Sequence, residues 1–233
     1  MKLFLRRLRD YDRRSADAVD HFIANSAFVA ERIRRIYGRE SAVIHPPVNT
    51  AFFSDPGRPG ANAPKRDYYL CAGQITHYKR VGIAVLACMK LGRRLVVAGD
   101  GPELAEIKQV AAGSPLITFE NLCSNERFRE LFTNARALIF PGIEDFGIIP
   151  LEAQAAGTPV IAFGKGGALE TVLSGRTGLF FPEQTPEALA NTIEEFEAAP
   201  AWDPAVCTDH AAKFNPERFR AEIDAFVRSA MKA

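Results

Sequence analysis

From Asp67 onward, short apolar runs alternate with stretches of helical periodicity, and no other feature of the chain restricts its fold as strongly. Strands are expected over residues 68–72, 95–98, 116–119, 137–140, 160–163 and 179–181. Helical spacing fills the intervals at 81–90, 103–111, 125–134, 151–156, 168–173 and 186–196. Several strands are apolar at consecutive positions, as in Ala137-Leu138-Ile139-Phe140, which suits strands covered on both faces. The expected fold is therefore α/β, a doubly wound parallel sheet of Rossmann-like form. Right-handed crossovers put every strand-to-helix loop on one sheet edge, where such sheets bind ligands.

The 233 residues carry 29 Lys+Arg against 28 Asp+Glu, a formal net charge of +1, and 47% are hydrophobic. That composition can bury a core and lacks the basic excess of a phosphate-tracking protein, so no nucleic-acid partner is expected. Its longest apolar runs fall far short of the ~18 residues that cross a bilayer. Leu3-Phe4-Leu5 runs straight into Arg6 and Arg7, unlike a secretion signal, and the expected compartment is the cytoplasm. Cys71, Cys88, Cys123 and Cys207 form no Cys-x-x-Cys pair, so neither a zinc site nor a disulfide framework is indicated.

A helical pattern opens at Ser15 and runs through Phe28, Val29, Arg32, Ile33, Ile36 and Tyr37 to Gly38. A strand at 42–44 is ended by Pro46 and Pro47, and residues 54–66, dense in Pro and Gly, read as a linker. Near the end, Phe219, Ile223, Phe226 and Val227 stand at helical spacing; that tail either closes the sheet's own face or docks on a domain outside this chain. Residues 1–14 hold six basic and two acidic side chains, readable as a solvated helix face or as a peripheral contact with anionic lipid.

Four strand-to-helix loops carry more than a turn requires. In the first, Gly73-Gln74-Ile75-Thr76-His77-Tyr78-Lys79-Arg80, Lys79 lies where a helix N-terminus would disfavour a cation unless an anion is shared. The second, Gly99-Asp100-Gly101-Pro102, lacks the third glycine of a dinucleotide fingerprint because Leu104 stands there; Glu120, at the end of the next strand, is only a weak match for a ribose-binding acid. In the third, Pro150 belongs in a first helical turn, so a helix starts near Ile148 and the N–H groups of Phe146, Gly147 and Ile148 are free to hold a phosphate. Glu144 and Glu152 flank that cradle. Carboxylates there would repel an anion but suit neutral sugar hydroxyls, each worth ~1.5–3 kcal/mol against ~0.3–1 for an exposed helix-dipole contact. The alternative is that Glu144 caps the helix and Glu152 faces solvent. The fourth loop, Gly164-Lys165-Gly166-Gly167, again exposes backbone donors before a helix.

These residues resemble the nucleotide-sugar-binding half of retaining glycosyltransferases of family 4, whose GT-B architecture sets two Rossmann-like domains across a cleft. The most specific part is Glu-x7-Glu, Glu144 to Glu152, followed by Ala153-Gln154-Ala155-Ala156-Gly157-Thr158-Pro159-Val160. The glycine loops at 73–80 and 99–102, Gly166-Gly167-x-x-Glu170, Phe22-Ile23-Ala24-Asn25-Ser26 and Pro46-Pro47-Val48 also match. The resemblance implies a remnant of an N-terminal acceptor domain at 1–53, a linker at 54–66, a nucleotide-sugar-binding domain at 67–200 and a helical tail at 201–233. It implies that Glu144 holds hydroxyls of the donor sugar and Glu152 those of the ribose, and that Lys79, beside Gln74, neutralises the diphosphate with the amides of Phe146, Gly147 and Ile148. The base would meet the stretch containing Glu120, Asn121 and Leu122, largely through its backbone; Gly101, Gly166 and Gly167 would line the cleft. Gln74 stands where many relatives carry Arg, and Asn121 where Gly is common, a replacement suited to a positive φ.

The implied reaction is transfer of a hexosyl group from a nucleoside diphosphate sugar to the hydroxyl of an acceptor saccharide or lipid-linked saccharide, with retention, in polysaccharide or glycolipid synthesis. A leaving phosphate oxygen takes the acceptor's proton. No cofactor or metal is called for, since Lys79 with a helix terminus can stabilise the departing diphosphate. The resemblance favours GDP-mannose as donor and requires a missing N-terminal domain as partner, without which the fragment is expected to be inactive. Two other readings stand beside it: a non-catalytic nucleotide-sugar-binding module, and an epimerase or phosphorylase of the same architecture.

Overall fold

The computed structural model describes residues 2–54, 67–121 and 123–232. The proposed linker, apart from Ser54, and Leu122 lie outside the described residues. Six strands form one parallel sheet: β3 (Tyr68–Ala72), β4 (Arg94–Ala98), β5 (Ile117–Glu120), β6 (Leu138–Phe140), β7 (Val160–Phe163) and β8 (Gly178–Phe181). Their spatial order is β5-β4-β3-β6-β7-β8. The chain thus builds outward from β3 in one direction, returns to β6 and builds outward in the other. The resulting crevice between the loops after β3 and β6 is the switch point at which open α/β sheets take ligands.

Strand residues alternate between two dry layers. Tyr69, Cys71, Leu95, Val97, Ile139 and Ile161 pack under α4 (Val81–Leu91), α5 (Leu104–Ala111) and α9 (Pro186–Ala198). Leu70, Val96, Leu138, Phe140 and Val160 face α3 (Thr50–Phe53), α6 (Asn125–Asn134), α7 (Ile148–Ala155) and α8 (Ala168–Thr171). Two covered faces explain the unbroken apolar runs.

The amino-terminal region departs from expectation. The helical pattern read from Ser15 to Tyr37 is two helices, α1 (Lys2–Asp17) and α2 (Ala27–Tyr37), divided by β1 (Phe22–Ala24). Ser26 caps α2 by accepting from the Val29 N–H at 3.0 Å, and Gly38 ends it with φ 65°. β1 pairs in parallel with β2 (Ser41–Val43), so this unit is a small βαβ of its own. The tail splits likewise. α10 (Pro204–Ala211) lies against α7, while α11 (Pro216–Ala230) returns to the amino-terminal unit, where Phe226 meets His21 edge-on. Among the described residues no helix is long and apolar enough to cross a membrane.

Candidate functional site

Backbone contacts lock the four loops into a stack that follows the strand order. Gly73 N–H donates to Ala98 O (2.9 Å) and Ile75 N–H to Asp100 O (2.8 Å), tying the loop after β3 to that after β4. A Cβ on Gly99 would strike the backbone of Gly73, and one on Gly101 the backbone of Ile75. Across the crevice, a Cβ on Gly142 would lie 2.8 Å from Lys79 Cα. Farther out, Gly167 N–H donates to Glu144 O at 2.8 Å, and a Cβ on Gly167 would overlap the Phe146 backbone. Gly101, Gly166 and Gly167, read from sequence as cleft lining, are thus first of all the residues whose missing side chains let neighbouring loops touch.

The stack brings Lys79 and Glu144 together across the switch point. Lys79 Nζ lies 3.0 Å from Glu144 Oε1, with side chains only 14% and 20% exposed. The contact is an ion pair without hydrogen-bond alignment, so Oε1, shut off from water, has no directed donor. The anion that balances Lys79 in the ligand-free protein is therefore Glu144. Glu144 does not cap α7, whose N-cap is Gly147 at φ 96°. Among the described residues the N–H groups of Phe146, Gly147 and Ile148 have no hydrogen-bond acceptor. Four orphan amides at a helix start are normal; here they begin the helix whose Ile149 side chain, like the half-buried Lys79 Nζ, lies against Gly73, an arrangement able to receive an anion.

Glu152 occupies the other flank. It lines a cavity of about 160 Å³ with Phe53, Gly73, Asn125, Phe128 and Ile149. Ala72 borders both this cavity and the crevice that holds Lys79 and Glu144. Burial raises the Glu152 carboxyl to about 7. Between about 4.5, its unfolded value, and 7 the folded chain holds a proton that the unfolded chain has lost, so stability falls as pH rises through that window. The cost above it is on the order of 3 kcal/mol. His210 acts oppositely: burial first, then Lys213 and Arg176, lower it to about 4, so its share of stability is lost as pH falls from about 6.5 towards 4. Melting curves should therefore show His210→Gln narrowing the loss of stability on acidification, and an unchanged acid limb would remove His210 from that account.

The remaining sequence candidates are placed less centrally. Gln74 is exposed with no side-chain partner among the described residues. Glu120 is not a free ligand acid: Arg127 donates to both carboxylate oxygens (2.7 and 2.8 Å), which holds the carboxyl below its usual range, and the Glu120 carbonyl accepts from Gly99 N–H. Asn121 is exposed and does not have a positive φ, so no left-handed turn explains it.

Sequence reasoning missed two groups around the cradle. Gln154 is fully buried, donating to Pro150 O (3.1 Å) and Thr171 O (2.7 Å), so its Oε1 accepts from His210 Nδ1–H at 2.8 Å. This bolts α7 to α8 and α10. The second is the pairing of Glu170, visible in sequence only as the end of the Gly166-Gly167-x-x-Glu170 match, with His45 at 2.9 Å. Gln154, polar between Ala153 and Ala155, was the available signal for the first; nothing local marked His45 as the partner of a residue 125 positions away.

A family model described as glycosyl transferases group 1 matches residues 58–214. The D-inositol 3-phosphate glycosyltransferase of Streptomyces bingchenggensis is 32% identical over an alignment covering 92% of this chain and 54% of that protein. The enzyme of the same name from Mycolicibacterium paratuberculosis is 30% identical, with 93% and 54% covered. Among solved structures, the sucrose-phosphate synthase of Thermosynechococcus elongatus superposes with a TM-score of 0.78 at 26% identity, over 92% of this chain and 59% of that one. Anabaena HepE in complex with UDP and glucose shares the fold (TM-score 0.75, 18% identity, 91% and 64% covered). The chain spans about half the length of the curated relatives it matches. With its doubly wound sheet and the loop stack at the switch point, the chain belongs to the group 1 glycosyl transferases, of GT-B fold.

Proposed function

We propose that this chain is the donor-binding half of a retaining hexosyltransferase. The observation that carries the reading is the buried, undirected Glu144 Oε1 set against Lys79 beside three unpartnered amides. A buried carboxylate oxygen whose one near donor, Lys79, is poorly aligned keeps acceptor capacity to spare, which a sugar hydroxyl fills in this reading. In this reading the diphosphate takes Lys79 over from Glu144 and rests on the N–H groups of Gly147 and Ile148. Glu144 then accepts from hydroxyls of the transferred sugar, and Glu152 from those of the ribose. The backbone around Asn121 faces the base.

As the bond from the anomeric carbon to the phosphate oxygen breaks, negative charge grows on the diphosphate. Lys79 and the α7 terminus already point at it in a site poor in water, where such stabilisation is largest. That supply of positive charge is why the proposal needs no metal. The departing phosphate oxygen takes the proton of the acceptor hydroxyl, which the other half of the protein presents. The relatives named for inositol 3-phosphate make a polyol hydroxyl a fitting acceptor class. GDP-mannose remains the proposed donor.

Thermal-shift titration with GDP, UDP and ADP tests the base: the proposal predicts the largest shift with GDP. Lys79→Gln should weaken nucleoside diphosphate binding about 10-fold or more, from the loss of a charge-assisted hydrogen bond, while nucleoside binding stays level. Equal losses for both ligands would remove Lys79 from the diphosphate. Tight binding by the whole protein with neither transfer nor donor hydrolysis would instead make it a non-catalytic module.

A further inference from the structure

We infer that Glu170 is a positioning residue that transmits the placement of the β1–α2–β2 unit to the diphosphate cradle. The inference rests on the donor-site reading above but is carried by contacts outside the site itself. The Glu170 carboxylate accepts from the first two N–H groups of α2, Ala27 (2.8 Å) and Phe28 (3.2 Å), so it lies on the positive end of that helix. It also meets His45 Nε2 at 2.9 Å, and its side chain is only 20% exposed. A single carboxylate on α8 thus holds both the start of α2 and the segment by which the amino-terminal unit leaves β2.

From Glu170 the contact runs inward without a gap. Three residues earlier, Gly167 N–H is bonded to Glu144 O, and Gly167 lies directly on the Phe146 backbone. His45 reaches the same loop by a second route, its ring stacked on Phe146 with centroids 5.2 Å apart and planes at 23°. Arg32, on α2, forms an ion pair with Asp145. Every one of these contacts lands on residues adjoining Glu144 or on the amides that receive the phosphate. A rigid shift of α2 therefore cannot leave residues 144–146 in place while Glu170 holds. The amino-terminal unit belongs in this reading to the acceptor half, so Glu170 is where the two halves are brought into register with the bound donor.

The test compares the chain with its Glu170→Ala and Glu170→Gln variants by amide exchange and by amide chemical shifts. If Glu170 positions the cradle, Glu170→Ala speeds exchange at Gly167 as well as at Ala27 and Phe28, and moves the amide signals of Phe146, Gly147 and Ile148. Nucleoside diphosphate affinity falls several-fold while nucleoside affinity is unchanged, because none of these contacts reaches Glu152, the ribose acid of that reading. Glu170→Gln, which keeps an acceptor on α2, gives the same pattern in weaker form and serves if the alanine variant does not fold. Changes confined to Ala27 and Phe28, with Gly167 and residues 146–148 untouched, would reduce Glu170 to a helix cap and overturn the inference. If the parent chain binds no nucleoside diphosphate, the donor-site reading falls, and the exchange and shift pattern alone decides the role of Glu170.

Discussion

Gly167→Ala is expected to lower the melting temperature by roughly 2–12 °C. The added Cβ would overlap Cα, C and O of Phe146, and backbone cannot swing aside as the tip of a long side chain can. An overpacked contact of this kind costs about 1–3 kcal/mol, and each kcal/mol moves the midpoint of a domain this size by about 2–4 °C. Relief by separating the loops would also break the bond from Gly167 N–H to Glu144 O and displace the cradle amides. Nucleoside diphosphate binding should therefore be lost along with stability. Calorimetric unfolding and titration of the same sample check both; a variant that melts and binds like the parent would show that the loop stack does not hold the site. Gly113→Ala, by contrast, meets nothing within 4 Å, and its cost should be only that of its positive φ.

Glu152→Ala should weaken nucleotide binding by one to two powers of ten, the equivalent of one or two hydrogen bonds to an ionised carboxylate. The same position should reveal itself without ligand. Because burial raises Glu152 to about 7, the parent carries a penalty at pH 8 that is absent at pH 4. Glu152→Gln should therefore melt above the parent at pH 8, with the difference closing as pH falls through 7 towards 4.5. Ribose hydroxyls favour the ionised form, so nucleotide affinity of the parent should rise with pH up to about 7 and then level off, with proton release on binding below that point. Buffers of different ionisation enthalpy would measure the released proton. PH-independent affinity with unchanged binding by Glu152→Ala would take this carboxylate out of the site.

The parts legible in the sequence are those set by local rules. The six strands of the main sheet fall within about one residue of their expected starts, because strands covered on both faces leave short apolar runs, too brief for a helix and bounded by turn residues. Pro150 placed the start of α7, since its missing N–H is harmless only in the first turn. Periodicity failed at 15–37, where β1 is three residues long and its pairing with β2 is decided by residues 41–43, beyond any helical window. The glycines were visible, but their purpose was not. Whether a Gly serves a ligand or a neighbouring loop depends on strand order, and order is a tertiary property. The same limit hid the Lys79–Glu144 pair: the sequence shows a cation in want of an anion, and only the adjacency of β3 and β6 supplies Glu144. The partner of the Glu120 acid was likewise hidden: Arg127, a turn into α6, closes on it.

The central claim is that a diphosphate rests on the amino end of α7 between two acids that grip sugars. A crystal structure of the chain with a bound nucleoside diphosphate tests it directly. Phosphate oxygens should lie within hydrogen-bond distance, ~2.7–3.2 Å, of the Gly147 and Ile148 nitrogens and of Lys79 Nζ, with ribose hydroxyls on the Glu152 carboxylate. Lys79 should have left Glu144. A nucleotide seated at the loop after β4, with the Lys79–Glu144 pair intact and Glu152 untouched, would contradict the account.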